Sequence, residues 1–216
     1  MNLEAQLKNI TESFRQKAPP EAFAKMEAAT TKLAESKLGE QALQAGQQMP
    51  DFALPDATGK LVSSAALRAS GPLLISFYRG HWCPYCNLEL KALQAELDTI
   101  KSYGATLIAI SPQTPDQSLT TQEKNELKFP VLSDEGNRVA RQFGLVFTLD
   151  VSLRPIYQSF GIDIVAHNGD QSFELPVAAT YLVAQDGAVI KSFINVDYRE
   201  RLAPEKAINW LKEIKR

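Results

Sequence analysis

The stretch FYRGHWCPYCNLEL, residues 77–90, carries Cys83 and Cys86, the only cysteines in 216 residues. Two thiols three positions apart admit three chemistries. They can close and reopen as a disulfide, since residues one helical turn apart stand about 5 Å from each other, inside the ~4.4–6.8 Å Cα range that a disulfide spans. They can supply half of a zinc site, which wants four ligands. The other soft ligands are His81, cramped only two residues from Cys83, and His167, and the chain has no second CxxC and no HxxxH. They can also be inert core thiols, as free cysteines often are. The redox pair is the expectation and a metal is not, because of where the pair sits.

The elements around it give that position. LLISFY (73–78) is a continuous apolar run, partly β-branched and aromatic, which reads as a strand buried on both faces. Residues 84–102 read as a helix with Leu88, Leu90, Leu93, Leu97 and Ile100 at its apolar positions, Pro84 in the first turn and Gly104 at the stop. The cysteines therefore lie at a strand-to-helix junction. Unpaired N–H groups and the positive end of the helix dipole favour a thiolate there, and can lower a cysteine pKa from about 8.5 to between about 3.5 and 7.5. Arg79 and His81 are expected to add positive charge nearby.

The pattern continues on both sides. Residues 1–17 form an amphipathic helix with Leu3, Leu7, Ile10 and Phe14 on one face, ended by Pro19-Pro20. A second helix comes after it with Phe23, Met26 and Leu33 on one side. Both read as a packing appendage, with a homodimer contact as the alternative. A short strand, a turn at 57–59 and another strand come next. TLIAIS (106–111) is a strand, 115–127 a helix, FPVLSD (129–134) a strand and about 136–143 a helix. ATYLVA (179–184) and AVIKSFI (188–194) form a hairpin around Gln185-Asp186-Gly187, and 204–215 is a closing helix. This order predicts an α/β fold, a mixed central sheet with helices on both faces. Residues 145–175 fit no regular element except a short helix over 153–161, and so long an irregular stretch points to function or hidden short helices. The expected division is a helical extension over 1–45 and a domain over 46–216 with an insertion at about 145–175.

Composition excludes several classes. The net charge is −2, the pI near 5.8, and 44% of residues are hydrophobic. There is no basic stripe with interleaved aromatics for a nucleic acid. No apolar run approaches the roughly 18 residues of a membrane span. The N-terminus MNLEAQLKNITESF lacks the layout of a secretory signal. A cytoplasmic protein with no nucleic-acid and no membrane partner is the expectation.

The residues also resemble a known family. WCPYC after a core strand resembles the WCxxC of thioredoxins, and the surrounding chain looks like a peroxiredoxin of the AhpC/TSA type. GQQMPDFALPDATGKLVS (46–63) is similar to the opening hairpin of those proteins and LLISFYRGHWCPYC (73–86) to their strand and catalytic loop. ATLIAISPQTPDQS (105–118) and KFPVLSDEGNRVARQFGL (128–145) look like their next strand–helix segments, and AATYLVAQDGAVIKSF (178–193) resembles their final hairpin. The resemblance implies a thioredoxin-like fold with an N-terminal helical extension. Two positions depart from the peroxiredoxin pattern P-x-x-x-T/S-x-x-C, and a third lies outside it. Its cysteine falls on Cys86, but Cys83 stands at the Thr position and Arg79 at the Pro position. Ala178 stands where peroxiredoxins place an arginine.

Two mechanisms use the same motif. In a peroxidase, the Cys86 thiolate attacks the peroxide and becomes a sulfenic acid, Cys83 condenses with it, and a thioredoxin-type or other dithiol restores the pair. Arg79 would hold the thiolate and polarise the peroxide through two parallel N–H donors. In a thiol–disulfide oxidoreductase, Cys83, as the more exposed thiol, attacks a partner's disulfide, Cys86 resolves it, and Trp82 and Pro84 form the docking surface. The peroxidase is the primary expectation, acting on hydrogen peroxide or organic hydroperoxides. Neither mechanism needs a metal or organic cofactor. A third reading is a thioredoxin-fold binding module with vestigial thiols.

Overall fold

The computed structural model describes residues 2–214. The chain opens with α1 (Leu3–Lys17), α2 (Pro20–Glu35) and the single turn α3 (Leu38–Gln41). The hairpin β1 (Ala53–Pro55) and β2 (Leu61–Ser63) leads through α4 (Ser64–Ala69) into β3 (Leu73–Phe77). Then come α5 (Pro84–Ala95), α6 (Leu97–Ser102), β4 (Thr106–Ser111), α7 (Pro115–Lys124), β5 (Val131–Ser133) and α8 (Arg138–Gln142). An excursion comes next, β6 (Val146–Thr148), α9 (Arg154–Ser159), α10 (Ile164–Asn168) and β7 (Glu174–Pro176). The hairpin β8 (Ala179–Val183) and β9 (Val189–Ile194) and the helix α11 (Pro204–Ile214) close the fold. Lys215, the last residue of the closing helix expected from sequence, lies outside the described residues.

The central sheet has the order β5-β4-β3-β8-β9. β3, β4 and β5 run parallel, and β8 and β9 join antiparallel. The sheet is mixed, with helices on both faces, as the sequence predicts. Side chains alternate across it, so one strand feeds two cores. Leu74, Leu107, Ala109 and Leu182 face α1, α5, α6 and α11, together with both cysteines. Leu73, Ile75, Phe77, Ile110 and Tyr181 face the other way, onto β1 and α8. α1 turns Leu3 and Leu7 into the first of these cores and lies along α5.

Two expected helices are shorter. The helix predicted over 84–102 breaks at Glu96, whose φ of −100° and ψ of 7° leave the helical region. Both halves still bury Leu93, Leu97 and Ile100, so the apolar spacing is the same with or without the break. The helix predicted over 115–127 stops at Lys124. Glu126 takes a left-handed φ of 53°, and the Leu127 N–H returns to the Gln122 carbonyl at 2.9 Å, seating Leu127 in the core.

The irregular segment is ordered. β6 pairs antiparallel with β7 and closes the excursion that carries α9 and α10. It has a small core of its own, Leu149, Leu153, Tyr157, Ile164 and Leu175, onto which Met26 and Ala29 of α2 and Trp82 pack. Among the described residues, no helix is long and apolar enough to cross a membrane.

Candidate active site

The chain leaves β3 at Phe77 and enters α5 at Pro84. Between them, the Cys83 N–H bonds to the Gly80 carbonyl at 3.1 Å and closes a turn. Gly80 has a φ of +152°, and a Cβ there would overlap the Trp82 indole. Gln113, just past β4, holds this turn from outside. Its Oε1 accepts the His81 N–H at 2.9 Å and its Nε2 meets His81 Nδ1 at 2.8 Å. Cys83 is the residue that caps α5, with extended backbone, and the Asn87 N–H bonds to its carbonyl at 3.1 Å. In the first turn, the Cys86 N–H points to the Cys83 sulfur and helps to lower its pKa. Cys86 lies inside the first turn, as the sequence predicts.

Both cysteines are free thiols. Their exposures are 1% for Cys83 and 0% for Cys86, so Cys83, expected to be the more exposed thiol, is buried as well. α1 and Trp82 pack over it. The two sulfurs differ in charge. Burial pushes the Cys83 thiol up, but the Cys86 thiol donates to its sulfur, Arg79 and Arg201 add positive charge, and the Cys86 N–H donates as well, so its pKa comes down to about 6. Burial pushes the Cys86 thiol well up, and the hydrogen bond to Cys83 and the charge of Cys83 push it further. This ranking is the reverse of the one implied by the peroxiredoxin register.

Arg79 stands beside the pair, as expected from the sequence. It is 3% exposed, and its Nη2 donates to the Tyr157 hydroxyl. Its guanidinium carbon lies 4.3 Å from the ring centre of Tyr198, 5.0 Å from Trp82 and 5.7 Å from Tyr157. Burial opposes its charge, and Tyr157, Cys83 and Tyr198 hold it protonated. His81 does not add the expected charge. Burial and then the neighbouring His167 push its pKa down to about 4. It is half-buried and meets His167 edge-on with ring centres 4.7 Å apart.

Two residues near the thiols went unread in the sequence. Arg201, in the loop before α11, donates from Nη2 to Cys86 Sγ at 3.2 Å. Its Nη1 pairs with Glu89 Oε2 at 3.5 Å, both side chains buried. Burial raises the Glu89 carboxyl to about 7, and Thr180 of β8 donates to it at 3.5 Å. A guanidinium from the loop before α11, not from position 178, therefore stands at the Cys86 sulfur. Glu89 had a readable signal, an acid one helical turn from Cys86 on the apolar face. Arg201 had none.

A cavity of about 90 Å³ lies over Cys83, walled by Ile10 and Phe14 of α1, Trp82, Phe160 and Arg79. Cys83 is in its wall and Cys86 is not. Among the described residues, no group of three or more His, Cys, Asp or Glu side chains could hold a metal ion.

Comparison with known proteins agrees with this architecture. The chain is 27% identical over 164 residues to the chloroplastic peroxiredoxin Q of Populus jackii, covering 76% of this chain and 64% of that protein. It is 33% identical over 103 residues to peroxiredoxin Bcp of Escherichia coli K12, covering 48% of this chain and 65% of that one. The match thus spans just under two thirds of each relative's length. Among solved structures, peroxidoxin BcpB of Mycobacterium tuberculosis superposes with a TM-score of 0.64 at 22% identity, over 80% of this chain and 98% of that one, and so shares the fold. The AhpC/TSA family pattern matches residues 45–192, which hold all but the last two residues of the sheet, the turn at Gly80 and both cysteines: the chain belongs to the AhpC/TSA family.

Proposed function

We propose that the chain is a thiol-dependent peroxidase in which Cys83 attacks the peroxide and Cys86 resolves it. The observation that carries this reading is the Cys83 thiol, lowered to about 6 and set in the wall of a cavity of about 90 Å³ beside Arg79. The register of the family motif would put attack on Cys86. Charge and access favour Cys83.

The Cys83 thiolate attacks the terminal oxygen of ROOH. The O–O bond breaks, ROH leaves after taking up one proton, and Cys83 becomes a sulfenic acid. Arg79 donates to the oxygen on which negative charge develops. The Cys86 sulfur then attacks the Cys83 sulfur, a disulfide forms and water leaves. A thioredoxin-type or other dithiol reduces the disulfide to two thiols and is itself oxidised. For a protein reductant, α1 must first lift from the site. The oxidoreductase alternative asks a partner's disulfide to reach a sulfur that is 1% exposed, and the same burial weighs against it. The cycle suits a reducing compartment, and the cytoplasm is the setting proposed. α1 turns Leu3 and Leu7 into the chain's own core, which favours packing over a homodimer contact for that helix.

The test is hydrogen peroxide consumption by reduced protein coupled to thioredoxin, thioredoxin reductase and NADPH. Cys83→Ser and Cys86→Ser run beside it with a sulfenic-acid trap. The expected result is turnover by the unmodified protein, a trapped sulfenic acid in Cys86→Ser and none in Cys83→Ser. The reverse trapping pattern overturns the assignment of roles. Peroxide reaction no faster than that of a free thiol overturns the peroxidase.

A further inference from the structure

Two guanidinium groups are buried beside the thiols, and they differ in what balances their charge. Arg201 has the Glu89 carboxyl at 3.5 Å. Arg79, 3% exposed, has no Asp or Glu partner among the described residues, and the groups that hold it protonated are Tyr157, Cys83 and Tyr198. Its Nη2 donates to the Tyr157 hydroxyl, and its Nε has no hydrogen-bond partner. A buried cation with an unused donor costs free energy until an anion accepts from it. The Cys83 thiolate is one such anion, and it exists only while Cys83 is reduced and deprotonated.

Arg79 also lines a second cavity, of about 250 Å³, whose wall does not include Cys83. Ala29 and Leu33 of α2 form one side of it, and Phe147 and Leu149 of the 145–175 excursion form the other. The lining is exposed at Lys32, Ser36 and Thr148 and buried at Leu149, Val177 and Arg79, so the space runs from solvent inward to the guanidinium. The acid in this lining, Asp150, pairs with Lys32 at 3.1 Å at the exposed end and leaves Arg79 unmatched. α2 and Tyr198 lie outside the 45–192 match, so part of the wall comes from segments that the family pattern does not include.

We propose that this cavity binds an apolar monocarboxylate, with the carboxylate on Arg79 and the tail along the α2 and excursion walls toward Lys32. The charge of Arg79 calls for an anion, and the walls call for an apolar tail, which a small inorganic anion does not have. Size sets the length of that tail. A closed apolar cavity of about 150 Å³ holds benzene, so about 250 Å³ takes roughly ten non-hydrogen atoms, the size of octanoate. The site does not rest on the peroxidase reading, since the acid has no O–O bond and is neither oxidised nor reduced. It does act on the thiols. The bound carboxylate and the Cys83 thiolate are two anions on one guanidinium, and each weakens the other by the same factor. The acid therefore favours the chain in which Cys83 carries no charge.

The test is calorimetric titration at pH 8 with octanoate and with octan-1-ol, which has the same chain and no charge. The reduced unmodified protein is compared with Ala29→Phe, Ala29→Leu and Cys83→Ser. Ala29→Leu is the smaller plug should phenylalanine distort α2. The expected result is one bound octanoate, held roughly tenfold or more tighter than the alcohol. Its affinity falls in the plugged variants and rises roughly fivefold or more in Cys83→Ser, where the competing thiolate is gone. No octanoate bound, or acid and alcohol bound alike, overturns the proposal. Binding unchanged in both plugged variants puts the acid outside this cavity, and binding unchanged in Cys83→Ser puts it away from Arg79; either result overturns the proposal as well.

Discussion

The Cys83 sulfur accepts from the Cys86 N–H and thiol and stands near two guanidinium groups, while the Cys86 sulfur accepts from Arg201 and faces a neighbouring thiolate. The same residue type three positions away therefore holds its proton more tightly. The sign for Cys83 comes first from the Cys86 thiol's hydrogen bond and then from the charges of Arg79 and Arg201, which together outweigh burial. Its pKa of about 6 lies below the ordinary value of about 8.5, so the thiolate persists at neutral pH and is lost as pH falls through 6. Alkylation of the reduced protein by iodoacetamide, read at Cys83 by peptide mass, is expected to rise with pH to a midpoint near 6 and then level off. Arg79→Met removes a positive charge that favours the thiolate, so its midpoint moves up. A midpoint near 8.5 in the unmodified protein, or no movement in Arg79→Met, contradicts the electrostatic account of Cys83.

The ion pair of Arg201 and Glu89 links α5, the loop before α11 and, through Thr180, β8. Removing Arg201 takes away the charge that holds the Glu89 carboxyl down, and proton uptake by a group that already titrates near 7 limits the cost at pH 8 to about 1–2 kcal/mol. Arg201→Met is expected to lose that much in denaturant titrations at pH 8. Glu89 in the fold titrates near 7, above its ordinary 4.5, so it favours the fold when protonated and that contribution is lost as pH rises through 7. The loss in Arg201→Met therefore shrinks at pH 5, where Glu89 is neutral. Adding Glu89→Gln recovers most of it at pH 8. An equal loss at both pH values, or no recovery, means that the pair is not the cause. This pair also marks where reading the sequence stops. β3, β4 and β8 were legible because a buried strand is a continuous apolar run, and the α5 start because Pro84 comes directly after a cysteine that caps it. The break at Glu96 was not, since Leu93, Leu97 and Ile100 keep helical spacing across it. The excursion from β6 to β7 was not, because elements of three to six residues are too short to show a period. Arg201 lies 115 residues from Cys86 in a loop, and only the closed fold brings them together.

At the scale of the whole molecule, the N-terminal helices decide what reaches the thiols. α1 lies on α5, and its Thr11 hydroxyl shares a hydrogen bond of 3.1 Å with Tyr85, between the two cysteines. α2 packs on the excursion, and its Glu27 pairs with Arg199. A small peroxide fits the space beneath this cover, whereas a bulky disulfide does not. Such contacts open locally at less than the cost of global unfolding, so in the proposed cycle a protein dithiol would reach the disulfide only when α1 opens. Leu7→Ala combined with Thr11→Val loosens that helix by removing a buried side chain and the bond to Tyr85. A loss of about 2 kcal/mol at such a site raises the open fraction more than tenfold. Reaction of the reduced thiols with the bulky disulfide DTNB is therefore expected to speed up at least tenfold in the double variant. Reaction with hydrogen peroxide, which needs no opening, changes far less. A parallel rise in both rates means that the variant has loosened the site itself rather than its cover. No rise in either means that α1 is not what shields Cys83, and a protein reductant then has another route to the disulfide.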